Sequence, residues 1–255
     1  CRNRRRLHLL AARKRIGQRR HRPQYGRVGA LADEILFWTY GTNFTYYLAP
    51  YNSFDGFAET YRFAAQNQIK ALYAQHQSNN DMSTGWERLK AYLNYKLGWD
   101  VNADVGALTD RFFKAYFGPA ADEMQDVFNE YRALAQKQIE LGYAGSRSEF
   151  HNALQAKYWP RNLLLDWTEN FDRAMAAIEP LKETDSTLYD AYYYNIALER
   201  VSPYYLTVML YESTFSTQTV SAFKQQVKAD CEHTGISLYA ERNGELSRLW
   251  SSWGI

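Results

Sequence analysis

Glu34-Ile35-Leu36-Phe37-Trp38-Thr39-Tyr40, closed by Gly41-Thr42-Asn43, is the stretch on which the fold turns. A β-branched and aromatic run bounded by turn-forming residues predicts a buried strand. A loop rich in Tyr and Asn, with Pro50, follows it. Between Asp55 and Gln68, Phe57, Ala58, Tyr61, Ala64 and Ala65 recur at helical spacing. Ile69-Lys70-Ala71-Leu72-Tyr73-Ala74-Gln75 then reads as a second strand. Strand, helix and strand joined by short links make a βαβ unit, so the two strands should run parallel and side by side. Two parallel strands do not hold a sheet alone. They are therefore expected to close a larger sheet or barrel whose earlier strands lie upstream of an N-terminally truncated chain.

Outward from this unit the pattern becomes helical. Trp86, Leu89, Tyr92, Leu93 and Leu97 share one face up to Gly98-Trp99-Asp100. Further helices are expected from Val105 to Phe117, ended by Gly118-Pro119, and from Ala120 to Leu141, capped by Gly142. Pro160 opens another, to about Leu181. Thr184-Asp185-Ser186 caps one that Ser202-Pro203 should break, and residues 203–214 and 219–234 continue the pattern. Ser237 to Arg242 reads as a short strand, and Gly244 to Trp253 as a last turn. The expected fold is mainly α with a small α/β part: the last two β/α units of a TIM-type barrel, then a helical domain. The division is 1–30, a basic segment; 31–83, the end of the barrel; and 84–255, the helical domain.

Charge separates the first of these from the rest. Residues 1–30 hold eleven basic side chains, ten Arg and Lys14, and no acid; the 30 basic residues of the chain less these eleven leave 19 against 28 acids, a net of −9. The overall +2 is therefore an average, and a charge argument for nucleic-acid binding by the whole chain fails. The head competes among four readings: an arm for nucleic acid or anionic surfaces, a signal peptide with too short an apolar stretch, a lipid-modified Cys1, and a disordered or out-of-frame segment. The last is favoured, because arginine outnumbers lysine ten to one there and only ten to nine in the body. No apolar run approaches the roughly 18–20 residues of a membrane span. Two cysteines, Cys1 and Cys231, exclude a disulfide scaffold and a thiolate metal site.

Chemistry-bearing motifs are sparse. There is no Gly-rich phosphate loop, paired-His metal motif or Gly-x-Ser-x-Gly elbow. His76, His151 and His233 are far apart in sequence, so no metal and no cofactor are expected. Among the acids, Asp33 and Glu34 precede the first strand, Asp55 reads as a helix cap, and Asp81 lies in a polar loop. Glu87 reads as exposed on its helix and Asp100 as ending it. None occupies the C-terminal tip of a strand, where barrels place their sites, so catalytic carboxylates are expected outside this chain. The strand tips carry aromatic and amide groups instead: Trp38, Tyr40, Asn43, Tyr46 and Tyr47 after the first, Tyr73, Gln75, His76 and Gln77 after the second. Aromatic faces stack on the C–H faces of sugars, and amides match hydroxyls as donor and acceptor. The same residues could equally fill the layers of a barrel, and Tyr192-Tyr193-Tyr194 and Tyr204-Tyr205 read as core.

The order Phe37-Trp38-Thr39-Tyr40-Gly41-Thr42-Asn43-Phe44, a strand ending in Gln75, Trp86 to Leu93, Lys96 to Asp100, and Phe112-Phe113-x-x-Tyr116-Phe117-Gly118-Pro119-Ala120-Ala121 resembles the domain of unknown function 4838 over roughly residues 31–145. The resemblance implies a bacterial carbohydrate-active protein with a barrel akin to α-glucuronidases and hexosaminidases, periplasmic or extracellular. It places Trp38, Tyr40 and Gln75 on the last barrel strands, facing the cleft. Its pattern often flanks the Gln with an acid and a Gly, where Ala74 and His76 stand here. The expected role is the C-terminal portion of a glycoside-hydrolase-like protein that completes a sugar cleft, with an oligo- or polysaccharide as partner. Trp38 and Tyr40 would stack, and Asn43, Gln75 and His76 would hydrogen-bond. The alternatives are a non-catalytic carbohydrate- or protein-binding helical module, and a nucleic-acid-binding fragment using the head.

Overall fold

The structure, a computed structural model, describes residues 10–11, 34–67, 69–78, 83–143 and 153–255. Most of the head, Asp33, Asp81 and His151 therefore lie outside the described residues. The first strands are β1 (Leu10–Ala11) and β2 (Ile35–Tyr40), followed by α1 (Phe57–Gln66) and β3 (Ile69–Gln75). They form a parallel sheet in the order β1-β2-β3. The βαβ unit forms as expected, β3 with the expected bounds and β2 and α1 inside theirs, because a buried aromatic run and an amphipathic stripe point the same way. Beyond the two expected strands, Leu10–Ala11 of the basic head adds a third, alongside Phe37 and Trp38.

The rest is α2 (Glu87–Trp99), α3 (Val105–Phe117), α4 (Ala121–Glu140), α5 (Arg161–Ile178), the single turn α6 (Leu181–Thr184), α7 (Ser186–Tyr211) and α8 (Thr217–Thr234). A short hairpin, β4 (Leu238–Ala240) with β5 (Gly244–Glu245), precedes α9 (Leu246–Trp253). The described chain is thus mainly α. One continuous apolar core runs from Leu48 and Phe54 through these helices to Trp253. At its centre Trp86 packs against Phe113, Phe117 and Phe128 at ring distances of 5.6, 6.3 and 5.4 Å.

The expected break at Ser202-Pro203 does not occur: α7 runs straight through Pro203. An interior proline forfeits the bond to the residue 199 carbonyl and crowds it, at a cost of about 3 kcal/mol. Every residue from Ile196 to Val208 is buried, with α5 and α8 packed alongside. Packing of that extent outweighs the lost bond. Arg200 anchors α8 from the same stretch. Its Nε and Nη2 donate to the Asp230 carboxylate at 2.9 and 2.7 Å, and Gln226 donates to it as well.

Two ties join the sheet end to the helices. Backbone N–H of Tyr47 donates to Tyr239 O at 2.8 Å, and that of Glu241 to Phe44 O at 2.9 Å, so the β4 segment clasps the loop after β2. Thr84 Oγ1 and Ser202 Oγ lie 2.8 Å apart, docking the loop before α2 on α7. At the α3 terminus Gly118 has φ +55°, and a Cβ there would meet the Tyr192 ring at 2.3 Å. Glycine is the residue that fits both demands.

Candidate functional site

From Leu36 opposite Ala71 to Tyr40 opposite Gln75, β2 and β3 are in continuous parallel register. Successive side chains of a strand point to opposite faces. Leu36, Trp38, Tyr40, Ala71, Tyr73 and Gln75 therefore share one face, which we call the aromatic face. Phe37, Thr39, Gly41, Leu72, Ala74 and His76 share the other, which α1 covers through contacts such as Phe37–Phe63 at 6.4 Å.

The aromatic face is half open. Tyr73 is 50 % exposed and sits edge-on to Trp38 with ring centroids 4.8 Å apart. Trp38 Nε1 donates to Gln75 Oε1 at 2.9 Å, which fixes the amide and leaves its NH2 group as a donor. Tyr40 packs edge-on against Phe44 at 5.6 Å. Of the five expected site residues, Trp38, Tyr40 and Gln75 are thus brought together, with Tyr73 beside them. Asn43 is buried in the following loop, where its Oδ1 accepts from Thr45 N–H at 3.0 Å and shapes the turn.

His76 lies on the opposite face from Trp38 and Gln75. Its Nδ1 is 2.8 Å from Glu87 Oε2, while Glu87 Oε1 accepts from Lys90 Nζ at 2.5 Å and Lys90 also donates to Gly41 O at 2.9 Å. A Cβ on Gly41 would fall 2.5 Å from His76 Cε1, so the ring occupies the space that this glycine leaves. Glu87, expected to be exposed, is buried, and Lys90 is fully enclosed. The reason is local: the first turn of α2 lies under the Gly41 rim, and the i, i+3 spacing lets each charge neutralise the other. Burial works to raise the Glu87 pKa, but Lys90 and then His76 outweigh it and hold it below the usual carboxylate range. Glu87 is thus an ionised acceptor, and His76 Nδ1 donates to it.

A second buried carboxyl meets the same turn. Glu199 of α7 accepts from Trp86 N–H at 2.8 Å. Gly85 and Trp86 both have positive φ, +77° and +65°, a strained geometry for a tryptophan. Burial pushes Glu199 up to about 8, the neighbouring Glu87 charge adding to the shift against the backbone N–H bonds. Nothing in the local sequence around Glu199 signals this partnership with a residue more than a hundred positions earlier.

The remaining candidates have structural surroundings. Asp55 is not the helix cap, a position that Gly56 takes without a side-chain bond. Its carboxylate instead accepts from Asn52, from Arg132 Nη2 at 2.6 Å and from Gln136, tying the loop to α4. Asp100 receives Asn102 N–H at the end of α2, and His233 packs edge-on to Tyr193 at 4.9 Å. Among the described residues no group of three or more His, Cys, Asp or Glu is placed to hold a metal ion. No helix of these residues is long and apolar enough to cross a membrane.

Residues 20–129 match the family model described as Domain of unknown function (DUF4838). The matched segment begins inside the basic head and carries both strands, α1 to α3, the aromatic face and the His76–Glu87–Lys90 network. No curated protein matches the chain, and no solved structure does.

Proposed function

We propose that the chain is the C-terminal portion of a carbohydrate-active, glycoside-hydrolase-like protein in which β2 and β3 are the last strands of a barrel. Its part is to complete the sugar-binding cleft and buttress the barrel. The observation that carries this reading is the aromatic face, where Trp38, Tyr40 and Tyr73 stand half open around a Gln75 amide that Trp38 holds in place. Rigid ring faces with an oriented NH2 donor match the alternating C–H and hydroxyl surfaces of a pyranose. The parallel order of the strands and the uncovered state of this face support the barrel part of the reading. A periplasmic or extracellular bacterial setting follows from the same family likeness.

The test is glycan retention in affinity electrophoresis. In a chain that also carries Trp99→Ala, so that no exposed ring outside this face holds the glycan, alanine at Trp38 or Gln75 should abolish retention with Tm unchanged; retention that survives both substitutions in that background sinks the cleft assignment.

A second reading, a binding module that does not cleave, is favoured by one observation. The strand positions of the aromatic face are Leu36, Trp38, Tyr40, Ala71, Tyr73 and Gln75, with no carboxylate among them to protonate or attack a glycosidic bond. Retention of a glycan without release of reducing ends would select this reading.

A further inference from the structure

On the other side of β3, between α1 and α2, a groove of about 610 Å³ is lined by Tyr61, Lys70, His76, Asn94, Tyr95 and Trp99. Its rim is unusual. Tyr95 is 66 % and Trp99 80 % exposed, one helical turn apart on α2. Large aromatics that far into water, beside a formed depression, mark a binding surface more often than chance.

Most of the lining is apolar, Ala64, Leu72, Ala74 and Ala91 among it, but one polar cluster in it is fixed. Tyr61 Oη donates to Asn94 Oδ1 at 3.1 Å, Asn94 Nδ2 donates to Lys90 O at 2.9 Å, and the same Nδ2 lies 3.3 Å from His76 Nε2. His76 is held in turn by Glu87, and because a carbonyl accepts only from the amide nitrogen, the bond to Lys90 O gives the Asn94 amide one orientation. That leaves the Tyr61 oxygen lone pairs and a second Asn94 Oδ1 lone pair as acceptors, with the Lys70 ammonium as a donor. Among the described residues no carboxylate lines the groove. Between the two rim aromatics Gly98 leaves the wall bare, since a Cβ there would meet nothing closer than Tyr61 Cε1 at 3.8 Å.

We infer that this groove is a second glycan-binding site, in which one sugar ring lies on Trp99 and Tyr95 and turns its hydroxyls to Tyr61, Asn94 and Lys70. The open rim chooses this ligand over a flat apolar one. An apolar ring laid here would leave its outer face in water, whereas a pyranose has one C–H face to stack and a hydroxyl rim that stays solvated. The site shares its ligand class with the proposed cleft and none of its residues.

The test applies the labelled 255-residue chain to a printed array of plant, bacterial and animal glycans, followed by titration of the strongest ligand. Trp99→Ala should weaken binding about tenfold or more, as loss of a stacking anchor does. Gly98→Leu puts a side chain into the groove and should abolish binding, while Gly98→Ala, whose added Cβ meets nothing closer than Tyr61 Cε1 at 3.8 Å, improves helix propensity and should keep Tm at or above that of the wild type. In Trp38→Ala the Trp99-dependent binding should persist. A wild-type chain that holds no glycan, binding that survives Gly98→Leu, or binding lost in Trp38→Ala but kept in Trp99→Ala overturns the inference. The last of these outcomes leaves the cleft reading standing.

Discussion

The two faces of the β2–β3 pair are made from adjacent residues and have opposite physics. On the aromatic face Trp38, Tyr73 and Gln75 meet water, and one side-chain bond orders them. One residue further along each strand, Gly41 and His76 enter a buried polar network with Glu87, Lys90 and Asn94. The first face can lose a side chain and re-solvate its neighbours. The second cannot, because each charge there is kept ionised by a partner that water would otherwise replace.

The sharpest way to break this contrast is Glu87→Ala, which strands Lys90 as an unpaired buried charge. It should cost about 3–5 kcal/mol in denaturant unfolding, the range for breaking one partner of a buried pair. An exposed-pair cost below about 1 kcal/mol would mean the network is solvated after all. Next in size is Gly41→Ala, whose Cβ must push His76 aside. Overpacking of this kind costs about 1–3 kcal/mol. The same variant should free the imidazole from Glu87, seen as a change in its ring chemical shifts by NMR.

Glu199 gives a pH test with a definite sign. Its pKa is about 8 in the folded chain against an ordinary 4.5, so the folded state binds the extra proton between these values. Its stabilising share is present below 4.5 and fades as pH rises through about 8. Glu199→Gln, a neutral isostere, should remove that decline, flattening the stability profile by up to about 1.4 kcal/mol per pH unit. Glu87 runs the other way. Its lowered pKa contributes stability above the ordinary carboxylate value, and that contribution is lost as pH falls through the folded value. The smallest effect belongs to the aromatic face: Tyr73→Ala should change unfolding by about 0.5 kcal/mol or less. A larger loss would show that this face is covered by something in solution.

Much of the architecture was readable in residue spacing. The bounds of β3 and α3 follow from patterns that nothing in the tertiary structure opposes. Pro203 misled because its penalty is local and its compensation is not: α5 and α8 enclose the helix from elsewhere in the chain. Glu87 misled for a related reason, since a glutamate in a first turn is ordinarily solvated and its burial depends on Gly41, remote in sequence. The grouping of His76 with Gln75, in contrast, was open to correction from the sequence itself. Neighbouring residues on an extended strand cannot share a face, so parity alone assigns His76 to the covered side. The second buried carboxyl, Glu199, needed the long-range approach of α7 to be seen at all.

The clasp between the Phe44–Tyr47 loop and the Tyr239 segment sets an order of events during synthesis. Its partners are separated by roughly two hundred residues, among the most non-local pairings a chain of this size can make. Until the β4 segment has left the ribosome, Tyr47 N–H and Phe44 C=O have no strand to bond. The loop that frames the aromatic face is therefore finished last, after the helices between have packed, and a nascent chain holds that face unframed for most of its translation.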